Sequence, residues 1–142
     1  MKIFLDTDIL IDVALDRMPF SNDASLLLDK LEMKHADGFI AWHSLSNLYY
    51  ICSSSIHDRK LKEYIKGLLL FLSVSETATE DAICALGLNV ADFEDAMQIS
   101  AAISCKADFI VTRNIRDFKH SPIPACLPGE IIKIIDKGNL LN

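Results

Sequence analysis

Lys2-Ile3-Phe4-Leu5-Asp6-Thr7-Asp8 opens the chain with a short, continuously apolar run that ends abruptly in two acids. A strand buried on both faces reads this way, and a helix start follows it, with Asp8 as a candidate N-cap. Similar apolar runs recur at Phe39-Ile40-Ala41-Trp42, Leu72-Ser73-Val74, Phe109-Ile110-Val111-Thr112 and Ile131-Ile132-Lys133-Ile134-Ile135. Between them lie stretches with apolar residues at helical spacing. Ile9 to Leu15 is one. A second is capped at Ser21 or Asn22 and carries Ala24, Leu27, Leu28 and Leu31 until Asp37-Gly38 breaks it. Ser44 to Ser54, Arg59 to Phe71 behind Asp58, Thr79 or Glu80 to Leu86 before Gly87, and Asp92 to Ser104 complete the set. Strands alternating with helices predict an α/β class. The expected architecture is three α/β/α layers around a central, mostly parallel sheet of four to five strands.

The chain has 142 residues, of which 51% are apolar and 24% charged, with 5 Gly and 4 Pro. That is enough chain for one domain with a real core, expected over residues 1–142. No apolar run reaches the roughly 18 residues of a spanning helix. The opening residues lack the apolar h-region of a signal peptide. A soluble, cytoplasmic protein with no membrane partner is expected. Cys52, Cys84, Cys105 and Cys126 form no C-x-x-C pair, which fits free, mostly buried thiols in a reducing compartment.

The formal net charge is −6, from 20 acidic and 14 basic residues. A long-range basic field of the kind that grips duplex DNA is therefore absent. Nucleic acid stays open as a substrate, because carboxylates that hold metal ions can work beside a few local Lys and Arg.

The acids fall into three sets. Asp6 and Asp8 follow the first strand. Asp92, Glu94 and Asp95 fall in the first turn of a helix. Asp117 lies in Thr112-Arg113-Asn114-Ile115-Arg116-Asp117-Phe118, just past the Phe109 strand. Right-handed crossovers make such strands parallel, so their carboxyl ends gather on one edge of the sheet. Acids brought together there repel one another unless a cation neutralises them. All-oxygen ligands suit Mg²⁺ or Mn²⁺ rather than zinc. Plainer roles exist for several of these residues. Asp8 and Asp92 are good N-caps, Glu94 suits a helix dipole, and Asp117 can cap a turn. Asp6, directly after a buried strand, has no such reading, since burying a lone carboxylate costs several kcal/mol.

Phe4-Leu5-Asp6-Thr7-Asp8-Ile9-Leu10-Ile11-Asp12 resembles the opening motif of PIN-domain ribonucleases. Phe93-Glu94-Asp95-Ala96-Met97-Gln98 with Ala101-Ala102 resembles that family's third motif, and Val111 to Phe118 its fourth. The motifs occur in order across nearly the whole chain. The resemblance implies an α/β/α fold and a Mg²⁺- or Mn²⁺-dependent endoribonuclease hydrolysing RNA phosphodiester bonds. Small single-domain members of this kind are often VapC-type toxins, paired with an antitoxin protein and frequently homodimeric. Carried over residue by residue, it makes Asp6, Asp95 and Asp117 the catalytic, metal-holding acids, with Asn114, Asp92 and Glu94 as further candidate ligands. Thr112, Asn47 and Asp8 become their outer hydrogen-bonding partners. Arg113, Arg116 and Lys119 are candidate contacts to RNA phosphates. The departure is Asn47, which stands early in the helix after the second strand, where the family usually places Glu. Asn offers a carbonyl oxygen without charge.

Two other readings follow from the same residues. With Asn47 weakening the site, the chain would be an inactive or feeble PIN-fold module that binds RNA or a protein. The Asp6-x-Asp8 pattern also resembles haloacid-dehalogenase-like phosphatases, although Leu10 stands where these have Thr or Val. Arg59, Lys60, Lys62 and Lys66 read as a solvated helix face. His43, His57 and His120 form no metal spacing. Trp42, Tyr49 and Tyr50 suit core or dimer packing more than base stacking.

Overall fold

The computed structural model describes residues 1–140; residues 141 and 142, the end of the expected domain, lie outside it. Five parallel strands form one sheet in the order β3-β2-β1-β4-β5. They are β1 (Lys2–Leu5), β2 (Asp37–Ile40), β3 (Leu72–Val74), β4 (Phe109–Val111) and β5 (Ala125–Cys126). Helices α1 (Thr7–Ala14) and α2 (Phe20–Glu32) lead from β1 to β2, and α3 (Trp42–Cys52) and α4 (Asp58–Leu68) from β2 to β3. Helices α5 (Thr79–Gly87) and α6 (Phe93–Ser104) then carry the chain past β1 to β4. A short 3₁₀ turn at Ile115–Phe118 precedes β5, and α7 (Pro128–Leu140) follows it.

Period-two alternation in β1 splits the core into two layers. Ile3 and Leu5 point to a large cluster with Ile9, Leu10, Leu27, Leu31, Leu48 and Leu61. Phe4 points the other way, to Ile99, Ala101, Ala102, Ile110 and Phe118. Helices thus cover both faces, which is the expected α/β/α arrangement. Gly38 in β2 is there for closeness: a Cβ on it would lie 2.4 Å from a Leu72 methyl and 3.0 Å from one of Leu31.

Several boundaries differ from the sequence reading. Ile131 to Ile135 is not a strand but part of α7. Pro128 sits at the first helical position, and the Glu130 carboxylate accepts the Leu127 N–H at 2.9 Å, so the backbone is committed to a helix start. Ile131, Ile132 and Ile135 then share the buried face while Lys133 and Ile134 are exposed. The fifth strand is the two-residue β5 instead. Trp42 belongs not to β2 but to the first turn of α3, where it is exposed, and Asp37-Gly38 opens β2. Asp8 does not cap α1, because the helix begins at Thr7, two residues before Ile9, and Asp6 holds the N-cap position without a side-chain cap bond. Pro19 rather than Ser21 or Asn22 precedes α2, and the Ser21 hydroxyl donates to Asp16 instead, at 2.8 Å. His57 rather than Asp58 caps α4, accepting the Arg59 N–H on Nδ1 at 3.4 Å. Asp92 does cap α6, accepting from the N–H groups of Glu94 and Asp95 at 2.8 and 3.3 Å. The four cysteines are free: Cys52 and Cys126 are buried, Cys105 is half-buried and Cys84 is exposed.

This strand order places the site. From β1 the chain builds outward to β2 and β3, then returns across the sheet to β4 and β5. The switch in direction falls between β1 and β4, whose C-terminal ends lie side by side. A crevice outside the carboxyl ends at such a switch is where open α/β sheets bind ligands.

Candidate active site

Asp6 and Thr112 are the first residues past β1 and β4, and both are buried. The Asp6 N–H donates to Val111 O at 3.0 Å, extending the strand pairing and fixing the backbone that carries the carboxylate. Thr112 Oγ1 donates to Asp6 Oδ2 at 2.8 Å and accepts the Asn114 N–H at 3.0 Å. The other Asp6 oxygen, Oδ1, lies 3.2 Å from Gln98 Nε2. Burial pushes the Asp6 carboxyl up to about 7, against the Thr112 hydrogen bond and with the charges of Asp8, Glu94 and Asp95 adding to it.

The first turn of α6 supplies the second group. Asp92, Glu94 and Asp95 each offer a carboxylate oxygen within 4.8 Å of the others. Asp95 is pushed up to about 6 by burial, then by Asp92, Glu94, Asp117 and Asp8. Asp117, from the 3₁₀ turn, thus acts on the same group of charges. Asp92, Asp95 and Asp117 line a cavity of about 450 Å³ together with Asn89, Arg116 and Lys119. Two of the three basic residues expected near phosphate therefore stand at the acids.

The third, Arg113, lines a neighbouring cavity with Asn114, Arg116 and Asp117 and is held by carboxylates. Its Nε lies 3.3 Å from Asp12 Oδ2, a terminal nitrogen lies 3.9 Å from Asp8 Oδ1, and the guanidinium sits over the Phe20 ring at 4.5 Å. Asp12 is buried, with Arg17 as its second cation at 3.7 Å, yet neither of its oxygens gains a well-formed hydrogen bond. Burial raises the Asp12 pKa and Arg113 lowers it. Arg113→Ala leaves this buried carboxylate with Arg17 as its remaining cation and is expected to cost about 3 kcal/mol of stability at neutral pH. The loss shrinks as pH falls and Asp12 takes up a proton on folding. Urea denaturation across pH checks this, and a deficit that stays constant with pH would show that Arg113 contributes by packing on Phe20 alone.

Asp8 receives the Asn114 amide at 3.2 Å, which ties α1 to the loop after β4. Asn47, on α3, donates from Nδ2 to Glu94 Oε1 at 3.3 Å. The site thus gathers Asp6, Thr112, Asp95 and Asp117 with Asp92, Glu94, Asn47, Asp8 and Asn114 around them. Three residues at the site have no site role in the sequence: Gln98 and Asp12, which lie inside the motifs quoted above, and His43. Gln98 lies one turn beyond Glu94 and His43 one turn before Asn47, so helical spacing alone could have placed both on the site-facing side.

The chain belongs to the PIN domain family, whose model matches residues 2–116. Among solved structures it is similar to VapBC2 from Rickettsia felis bound to a DNA fragment from their promoter. Identity there is 21% and the TM-score 0.64, with 89% of this chain and 98% of the other covered. It is similar to VapBC-1 from nontypeable Haemophilus influenzae at 14% identity and TM-score 0.66, over 91% and 99% of the two chains. It is also similar to Mycobacterium tuberculosis VapC20, a toxin that cleaves the sarcin-ricin loop, at 13% identity and TM-score 0.60, over 76% and 86%. At these identities the likeness is one of fold. A comparison with curated proteins finds no significant match. Among the described residues, no helix is long and apolar enough to cross a membrane.

Proposed function

We propose that this chain is a divalent-metal-dependent endoribonuclease that hydrolyses RNA phosphodiester bonds, acting as the toxin of a toxin–antitoxin pair. The observation that carries the reading is the buried Asp6 carboxylate at the β1/β4 switch, surrounded by the charges of Asp8, Glu94 and Asp95. Like charges packed this closely, on oxygen ligands only, fit a hard cation such as Mg²⁺ or Mn²⁺. Asp6, Asp95 and Asp117 would hold it, with Asp92, Asn114 and Glu94 as further candidates. When bound, such an ion activates water for in-line attack and neutralises phosphate charge.

The remaining roles belong to the chain itself. Thr112 fixes the orientation of Asp6, and Asn114 restrains Asp8. Arg116 and Lys119, lining the cavity with Asp95 and Asp117, bind flanking phosphates. RNA is the proposed substrate and an antitoxin the proposed partner, in line with the VapC20 and VapBC relatives. A homodimer would cover α3, where Trp42 and Tyr50 are 72% and 82% exposed. The proposal treats residues 1–142 as one PIN-like domain working in the cytoplasm.

Incubation of the purified protein with structured RNAs in Mn²⁺ or in EDTA tests the reading. Cleavage confined to the Mn²⁺ arm supports it, and equal cleavage in EDTA refutes metal dependence. Arg116→Ala is expected to raise KM about fivefold to tenfold and to lower the salt slope of RNA binding by about one unit. Fluorescence anisotropy across a salt series reads both the affinity and the slope. An unchanged slope would remove Arg116 from the phosphate contacts.

A further inference from the structure

We propose that Glu94 is the fourth acid of this site, delivered from α6 to the place that the neutral Asn47 faces, and that Gln98 is the residue positioning it there. The proposal rests on the cation-dependent reading above. Glu94 and Asp95 are consecutive on the first turn of α6, so their side chains leave the helix about 100° apart. Asp95 faces the cavity with Asp117. Glu94 reaches across to α3 instead, where Oε1 collects three donors. Gln98 Nε2 stands at 2.9 Å, His43 Nε2 at 3.1 Å and Asn47 Nδ2 at 3.3 Å. With all three on Oε1, the second oxygen is left for a cation.

Gln98 joins this carboxylate to the centre of the site. It is completely buried, and the same Nε2 lies 3.2 Å from Asp6 Oδ1 and 2.7 Å from Thr7 Oγ1. An amide nitrogen has two hydrogens, so three acceptors compete for them. Its carbonyl oxygen, also buried, has no partner. Buried acceptors are normally paired. An orphan acceptor on the amide that bridges two carboxylates marks a place for a cation or the water it carries. Packing alone gives no reason to bury a carboxamide here with one end unsatisfied and the other oversubscribed. Asn47 completes the arrangement: its amide donates to Glu94, so the negative charge on this side of the crevice comes from α6 rather than α3.

The contact between Asn47 and Glu94 makes the charge movable. In Glu94→Gln with Asn47→Glu, the same hydrogen bond forms with its direction reversed and the carboxylate shifts to the neighbouring helix. Calorimetric titration with Mn²⁺ is made on the wild type and on Glu94→Gln, the double variant and Asp6→Asn, with thermal melts in EDTA as the control for folding. Glu94→Gln is expected to weaken Mn²⁺ binding about tenfold or more, and the double variant to recover to within about threefold of the wild type. Gln98→Met should weaken binding about tenfold alone and by clearly less than that in the Glu94→Gln background, since the part of its effect that runs through Glu94 is then already lost while its contact with Asp6 remains.

Full-strength Mn²⁺ binding by Glu94→Gln, with loss in Asp6→Asn, overturns the role of Glu94 and leaves the nuclease reading standing. A double variant as weak as the single one also overturns it, because the charge would then not be what Glu94 supplies. A wild type that binds no Mn²⁺ overturns both readings.

Discussion

Asp6→Asn is expected to lower RNA cleavage at saturating substrate by at least about 100-fold, and Asp95→Asn to do the same. The substitution at Asp6 is close to a pure deletion of charge. Asn has the shape of Asp, Thr112 can still donate to its carbonyl oxygen, and the backbone pairing of residue 6 with Val111 is untouched; the one hydrogen bond lost is that from Gln98, whose Nε2 would face the Asn amide nitrogen. What disappears is the buried anion around which the other acids are arranged. Losing it removes both the hold on the cation and the charge that balances it, so the effect falls on the chemical step. Arg116 lines the cavity that Asp95 and Asp117 face, and its loss falls on binding instead. Single-turnover cleavage in Mn²⁺, at RNA concentrations that saturate each variant, separates the two. Near wild-type rates for both Asp6→Asn and Asp95→Asn would mean that the activity is a contaminant or lies elsewhere, and the nuclease assignment would fall.

The acids at the site were legible because each sits at a point where local structure changes. Asp6 ends a strand, Asp95 opens a helix and Asp117 follows a strand, and the parallel α/β pattern says that such points converge. Gln98 is different. Helical spacing from Glu94 puts Gln98 on the site-facing side of α6, but its contact with Asp6 arises only because α6 packs against the end of β1, 92 residues away. The Arg113–Asp12 pair is equally non-local. Its cost is a buried carboxylate, which no spacing rule announces. The misread strand at Ile131 to Ile135 failed for another reason. Four isoleucines around one lysine fit a buried strand and one face of a helix equally well. Pro128-Gly129-Glu130 decides it, through a helix start whose glutamate caps the preceding backbone. The departure at Asn47 was visible in the sequence, whereas the contact that answers it, from Glu94, required the approach of α6 to α3.

The same Asp6→Asn chain should be more stable than the wild type in metal-free buffer at pH 8, by up to about 4 kcal/mol. The Asp6 carboxyl is raised in the folded state to about 7 from an ordinary 3.8. The folded protein therefore holds this proton more tightly than the unfolded chain does. Its favourable contribution is full below about pH 4 and is lost progressively as pH rises to about 7, after which the loss is constant. Asparagine has no such dependence. The two chains should have similar stability near pH 4, separate between pH 4 and 7, and stay apart above that. A cation that binds the folded wild type stabilises it by about 2.7 kcal/mol at one hundred times its Kd, so saturating Mn²⁺ should close most of the gap at pH 8. Urea denaturation at pH 4, 6 and 8, in EDTA and in Mn²⁺, measures all of this. A gap that does not widen with pH would show that Asp6 folds as a carboxylate at no cost. The charge crowding from which a cation at this site is inferred would then be absent.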